Sequence, residues 1–325
     1  MRNITFISKP KDVKGRGSLA HFYHFLYGLY LPLIYQIKFP KWTNITLPSC
    51  GPMNKHLRNL PGFNVNIVPA TTIASLNYQR INCLPWDTFW CSQKNNKQIL
   101  TAEMLSIVNK KIDKIFDIKN IKRDIDILFI NRGVSTCLLD YDCLENINHE
   151  NVTNPETPGV CYDKTAAEQS PLYNSGATRR SIYNAMGLIT QLNKLAPVTI
   201  AELTHMPIQD QFRLFSRAKV IIGQHGAGLS HAFRANSESL LIEIQPIDMY
   251  KSGAECFTMF EKICNLNNIN YTRILQSDPT RTVTNLAPDT KDDRYYPGVW
   301  SADNKNNHAP VKLDDNILKL IQQYI

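Results

Sequence analysis

The residues best suited to chemistry cluster between Ala218 and Pro246, in AKVIIGQHGAGLSHAFRANSESLLIEIQP. His225 stands between Gly223 and the run Gly226-Ala227-Gly228-Leu229. A turn stripped of side chains lets a ligand come close to the backbone N–H groups, which favour an anion. An imidazole in that turn adds a group that can donate to the same anion. The pattern predicts a diphosphate site in which His225 touches the ligand. Glu243, near the end of the next apolar run, is a candidate acceptor for a ribose or sugar hydroxyl. A solvent-capped strand terminus is its other reading.

These residues need a scaffold, and the same stretch supplies one. Lys219 to Gly223 is a short, β-branched apolar run that predicts a buried strand. A short helix over Leu229–Arg234 and a second strand over Ser239–Gln245, stopped by Pro246, complete a βαβ unit. In parallel sheets, ligands sit at the carboxyl ends of the strands. HGAG also resembles the oxyanion loop of lipases and esterases. That fold needs a G-x-S-x-G nucleophile elbow, and the sequence contains none.

Other candidates lie along the chain. DILFI, residues 126–130, predicts a buried strand, and Arg132 follows it directly, where a guanidinium suits a diphosphate. Arg180, in RRSIYN, stands at a predicted helix start, where solvation of that start is its plain reading. A helix to Leu195, a strand at Val198–Ile200 and a helix at Ile208–Arg217 lead into the central unit. This strand–helix alternation predicts a parallel sheet. Downstream come an amphipathic Cys256–Leu266, a strand in NINYTRIL, and a terminal helix over Leu313–Ile325. Asp140-Tyr-Asp142 is a D-x-D tripeptide of the kind that holds a metal, and Asp124-Ile-Asp126 is another. Residues 135–175 are polar and turn-rich and predict a long loop.

Toward the N-terminus, Met1–Lys14 begins with a strand-like ITFIS. The interval between Arg16 and Lys38, which contains HFYHFLYGLYLPLIYQI, carries no formal charge over a length that can span a bilayer. Its apolar residues follow helical spacing, and histidines, Gly28 and Pro32 interrupt it. The expectation is a buried helix kinked at Pro32, with a membrane span as the alternative. His24 on this helix reads either as a satisfied core histidine or as a catalytic group, and His21 lies one turn away. Short strands, NITL and FNVNIV, follow, and Gln98–Phe116 predicts a helix. Asp87, in WDTFW, is a further acidic candidate.

The run from Val198 to Pro246 resembles the core of glycosyltransferase family 61, which includes plant xylan-decorating and animal O-linked GlcNAc transferases. Gln211, Leu214, Phe215, Ala218, Gly223, His225 to Leu229, Glu243, Ile244 and Pro246 fall on the family pattern. Ser230-His231 replaces the usual Asn after the leucine. HFYHFLYGLYLPL resembles the family's N-terminal element, with His24 at the family's histidine. The resemblance implies a GT-B fold of two doubly wound parallel-sheet halves facing a central cleft. It implies an inverting, metal-independent transfer from a UDP-sugar to a hydroxyl of a glycan or glycoprotein. His24 would be the catalytic base, with His21 and Asp87 on the acceptor side. Arg132, Arg180, Gly223, His225, Gly226, Ala227, Gly228, Leu229 and Glu243 would line the donor site.

The bulk properties fit that picture. The 325 residues are 43% hydrophobic and 20% charged, values of a globular chain with room for two domains. The expected division is an acceptor-side domain over 1–122 and a nucleotide-sugar domain over 123–312. The terminal helix, 313–325, is expected to pack back toward the N-terminal half. Net charge is 36 − 28 = +8, which suits a phosphate-bearing partner. No Lys/Arg run or recognisable motif points to nucleic acid. The eight cysteines form no C-x-x-C pair, which argues against a structural zinc. Sequons at Asn3, Asn44, Asn151 and Asn270 argue little for secretion, and no signal peptide is seen. The expectations are no cofactor, a nucleotide-sugar donor, at most peripheral membrane contact, and a cytoplasmic location or a virus-infected host's cytoplasm. The rivals are a metal-dependent transferase using Asp140/Asp142, a serine hydrolase, and a non-catalytic nucleotide-sugar-binding protein.

Overall fold

The computed structural model describes residues 3–7, 22–38, 44–50, 53–68, 79–82, 86–87, 98–118, 121–131, 182, 185–203, 206–251, 258–277 and 309–325. Described residues up to 118 belong to one compact unit and those from 121 onward to another. Each is an α/β unit with a parallel sheet.

In the first unit, β1 (Asn3–Ile7), β2 (Asn44–Pro48), β3 (Asn64–Val68) and β4 (Gln79–Asn82) form a parallel sheet in the order β3-β2-β1-β4. A further parallel pair joins β5 (Trp86–Asp87) to β6 (Gln98–Ile99). Between β1 and β2 the chain is helical through three consecutive segments, Phe22–Phe25, Leu26–Tyr30 and Leu31–Gln36. Phe25, Leu26, Tyr27, Leu29, Tyr30, Leu31, Leu33 and Ile34 are all buried. Burial on so many sides is that of a core helix. Among the described residues no helix is long and apolar enough to cross a membrane. Pro32 is accommodated by a π turn, in which the Leu31 N–H bonds to Leu26 O. A proline ring collides with the carbonyl four residues earlier, and a widened turn gives that carbonyl room.

The helix Ala102–Ile115 starts later than its spacing predicts, because Thr101 caps it by accepting from the Met104 N–H at 3.2 Å. Gln98 and Ile99 are spent on β6 instead. Lys111 on this helix donates to Tyr35 O and, at 2.9 Å, to Ile37 O. It thereby places a cation on the last carbonyls of the core helix.

In the second unit, β7 (Ile125–Asn131), β8 (Val198–Glu202), β9 (Ala218–Gln224), β10 (Leu240–Pro246) and β11 (Asn270–Gln276) lie in the order β11-β10-β9-β7-β8. Every ladder is parallel. Counted within the unit this is the doubly wound order 2-1-3-4-5, whose switch point lies between β7 and β9. One sheet face, with Ile127, Phe129, Val220, Ile222, Ile242 and Ile244, shares a core with Leu188 and Leu192 of the helix Ala185–Asn193. Ile321 of the helix Asp315–Gln322 enters the same core, flanked by Ile317, Leu318 and Leu320. The apolar side of this terminal helix packs on the second unit's core. The helices Ile208–Arg217 and Met259–Leu266 and a 3-10 helix at Ala227–Arg234 join the remaining strands.

Candidate functional site

The site is built where β9 ends. His225 continues the sheet by one residue, its backbone N–H donating to Ile244 O at 2.8 Å. The chain then lifts through Gly226 into the 3-10 helix, whose Leu229 N–H donates to Gly226 O at 3.0 Å. The N–H groups of Ala227 and Gly228 stand ahead of that bond. Ala227 is exposed and Gly228 half-buried, while Gly223, His225, Gly226 and Leu229 are buried. The solvent side of the turn is therefore its Ala227–Gly228 segment.

The glycines serve packing as well. A Cβ on Gly223 would meet Leu229 Cδ2 at 2.9 Å and Ile130 Cβ at 3.2 Å, and one on Gly228 would meet Ile130 Cγ2 at 3.0 Å. The 3-10 helix lies flat on β7 and β9 only because both side chains are missing. At Gly223 the space expected for a ligand is filled by the protein's own Leu229 and Ile130.

Glu243 is not at a strand end. It sits within β10, opposite Gly223 on β9 and Arg273 on β11, and is fully buried. A buried carboxylate is tolerated only when its oxygens are bonded and its charge balanced. One Glu243 oxygen pairs with Nδ1 of His225, and the other accepts from the Tyr271 hydroxyl at 2.5 Å. Arg273 Nε donates to the Tyr271 oxygen at 3.1 Å, and its other arm donates to Glu261 at 3.0 Å. Its guanidinium lies over the rings of Tyr250 and Tyr271, at 5.4 and 5.5 Å. Phe260 presses on the His225 ring in an edge contact at 5.3 Å. Burial, then the Glu243 charge, pushes the Tyr271 phenol far above its usual range, so it acts as a donor. Burial pushes the Cys264 thiol up too, with Glu243 and Glu261 adding to it.

A second buried pair holds the far end of the turn. His231 Nε2 meets Gln211 Oε1 at 2.6 Å, between the rings of Phe212 and Phe215. The Gln211 amide donates to Leu203 O at 3.1 Å and Met206 O at 2.7 Å. One side chain thus ties the loop after β8 to the 3-10 helix. The histidine that replaces the family's Asn is a core group here.

The remaining candidates divide by position. Arg132 follows Asn131, the last residue of β7, but lies outside the described residues, as do Arg180, Asp140, Asp142 and His21. Asp87 belongs to β5, and its side chain lies outside them too. The other D-x-D stands at the amino end of β7, away from the turn. Asp124 pairs with Arg217 at 2.7 Å and Asp126 with Lys219 at 2.6 Å. His24 belongs to the first unit. It is half-buried in the Phe22–Phe25 segment, with its ring edge-on to Tyr23 at 5.6 Å. Tyr271 and Arg273 went unread in the sequence, although their two-residue spacing on a strand puts them on one sheet face.

The model of the glycosyltransferase 61 family matches residues 22–242, from the His24 helix through β9 into β10. A beta-1,2-xylosyltransferase of Arabidopsis thaliana is 31% identical over 88 residues, which is 26% of this chain. The match spans 15% of that relative's length. The family match covers the switch-point turn, the helix carrying Gln211 and the core helix of the first unit, and the chain belongs to glycosyltransferase family 61.

Proposed function

We propose that this chain is an inverting glycosyltransferase of GT-B arrangement, moving a sugar from a UDP-sugar to a hydroxyl of a glycan or glycoprotein. The observation that carries this is the glycine turn at the switch point of a doubly wound sheet, inside the region matched to the family. The diphosphate lies against the Ala227 and Gly228 backbone, with Arg132 and Arg180 supplying positive charge. His225 holds the turn from beneath. His24 takes the proton of the acceptor hydroxyl, and that oxygen attacks the anomeric carbon. The bond from that carbon to the phosphate oxygen breaks, and its electron pair leaves on UDP. Fixed cations and N–H groups stabilise that charge, so the reaction runs without a divalent metal.

Calorimetry of the full chain with UDP, UDP-xylose and UDP-GlcNAc tests the donor reading; xylose is included because one relative is named for xylosyl transfer. Binding of at least one nucleotide is expected, and none by any would end the proposal. Turnover should persist in EDTA. Loss in EDTA with recovery on Mn²⁺ would favour the Asp140/Asp142 route.

A further inference from the structure

Glu261, Arg273, Tyr271, Glu243 and His225 form an unbroken polar chain inside the second unit. Its ends differ in environment. The Glu261 side chain is 42% exposed, whereas those of His225 and Glu243 are 2% and 0% exposed. An apolar residue would fill the Glu243 position at lower desolvation cost, as Leu241 does two residues earlier on β10. Packing therefore does not explain the carboxylate. What it reaches is the ring of His225, the residue that opens the glycine turn. The His225 backbone is already fixed to Ile244, so ring and backbone are held by adjacent residues of one strand.

We propose that Tyr271, acting through Glu243, is a positioning residue for donor binding: it holds the carboxylate that fixes the His225 ring, and so sets the Gly226–Gly228 backbone for a nucleoside diphosphate. This rests on the donor reading above. The hydroxyl proton on one Glu243 oxygen stops the carboxylate from rotating and keeps the other oxygen on Nδ1. The carboxylate in turn keeps a hydrogen on Nδ1, as in other carboxylate–imidazole pairs. Among the described residues, Glu243 from β10 meets the ring directly; Tyr271 and Arg273 from β11 and Glu261 from the Met259–Leu266 helix connect to it through that carboxylate, and the Cys264 thiol of the same helix feels the Glu243 charge.

Tyr271→Phe keeps the ring and deletes the donated hydrogen bond. In the full chain, UDP affinity should fall about tenfold, the effect of losing one bond to a charged group. The NMR resonance of the His225 Nδ1 proton should move with it, because the carboxylate that meets this nitrogen loses its second bond. Parent-like UDP affinity overturns the inference, and so does a lower affinity with an unmoved resonance. A parent protein that binds no UDP sinks the donor reading instead; the clamp is then judged by the resonance, which Tyr271→Phe must still move. Should that variant fail to fold, Arg273→Gln, which removes the cation behind the hydroxyl, is read by the same two measurements.

Discussion

At the scale of single residues, the two histidines of interest have unlike surroundings. His225 is enclosed, with Nδ1 on a buried carboxylate and an aromatic edge against its ring. His24 is half-buried at the start of a helix whose next turns are mostly core. An imidazole that must collect a proton from an incoming hydroxyl needs the second kind of setting. His24→Ala should therefore lower turnover ~10²- to 10⁴-fold, the usual worth of a general base, while leaving UDP affinity intact. His21→Ala serves as the milder control. A folded His24→Ala protein with near-parental turnover would assign the base elsewhere, with Asp87 next in line.

At the scale of elements, the turn depends on how closely the 3-10 helix rests on the sheet. Gly223→Ala would drive a methyl into Leu229 and Ile130. Overpacking of this kind costs about 1–3 kcal/mol, and its first effect should be to lift the helix and weaken UDP binding. Parallel falls in melting temperature and UDP affinity are expected; a variant unchanged in both would mean the contact relaxes freely. The strands were legible because parallel strands buried on both faces read as continuous apolar runs, as DILFI, KVIIG and LLIEI do. Glu243 was misplaced because Pro246 reads as a stop, whereas it closes β10 in register with Gln276. The partners were illegible for a different reason. Glu243 finds Tyr271 28 positions along the chain, and Gln211 finds His231 20 positions along, so only the sheet order joins them. Pro32 announced a disturbance, but not that a π turn would absorb it.

At the scale of the whole molecule, two units need not unfold together, so a pH effect must be read in the unit where it arises. His56, in the helix Asn54–Arg58 of the first unit, is buried between the rings of Phe22 and Phe25, at 5.6 and 5.9 Å. Burial, with the neighbouring Lys55 charge, pushes its pKa down to about 3. The unfolded chain takes up a proton there near the ordinary value of about 6.5, and the folded unit does not. Folding stability is therefore untouched by this group above pH ~6.5. It declines by about 1.4 kcal/mol per pH unit as pH falls from there toward about 3, and levels off below. His56→Phe keeps an aromatic ring and removes the titration. Amide hydrogen exchange in 54–58, followed from pH 7 to pH 4, should show steep loss of protection in the parent and a shallower loss in the variant, after correction for intrinsic exchange. Equal slopes would place the first unit's acid sensitivity in other groups.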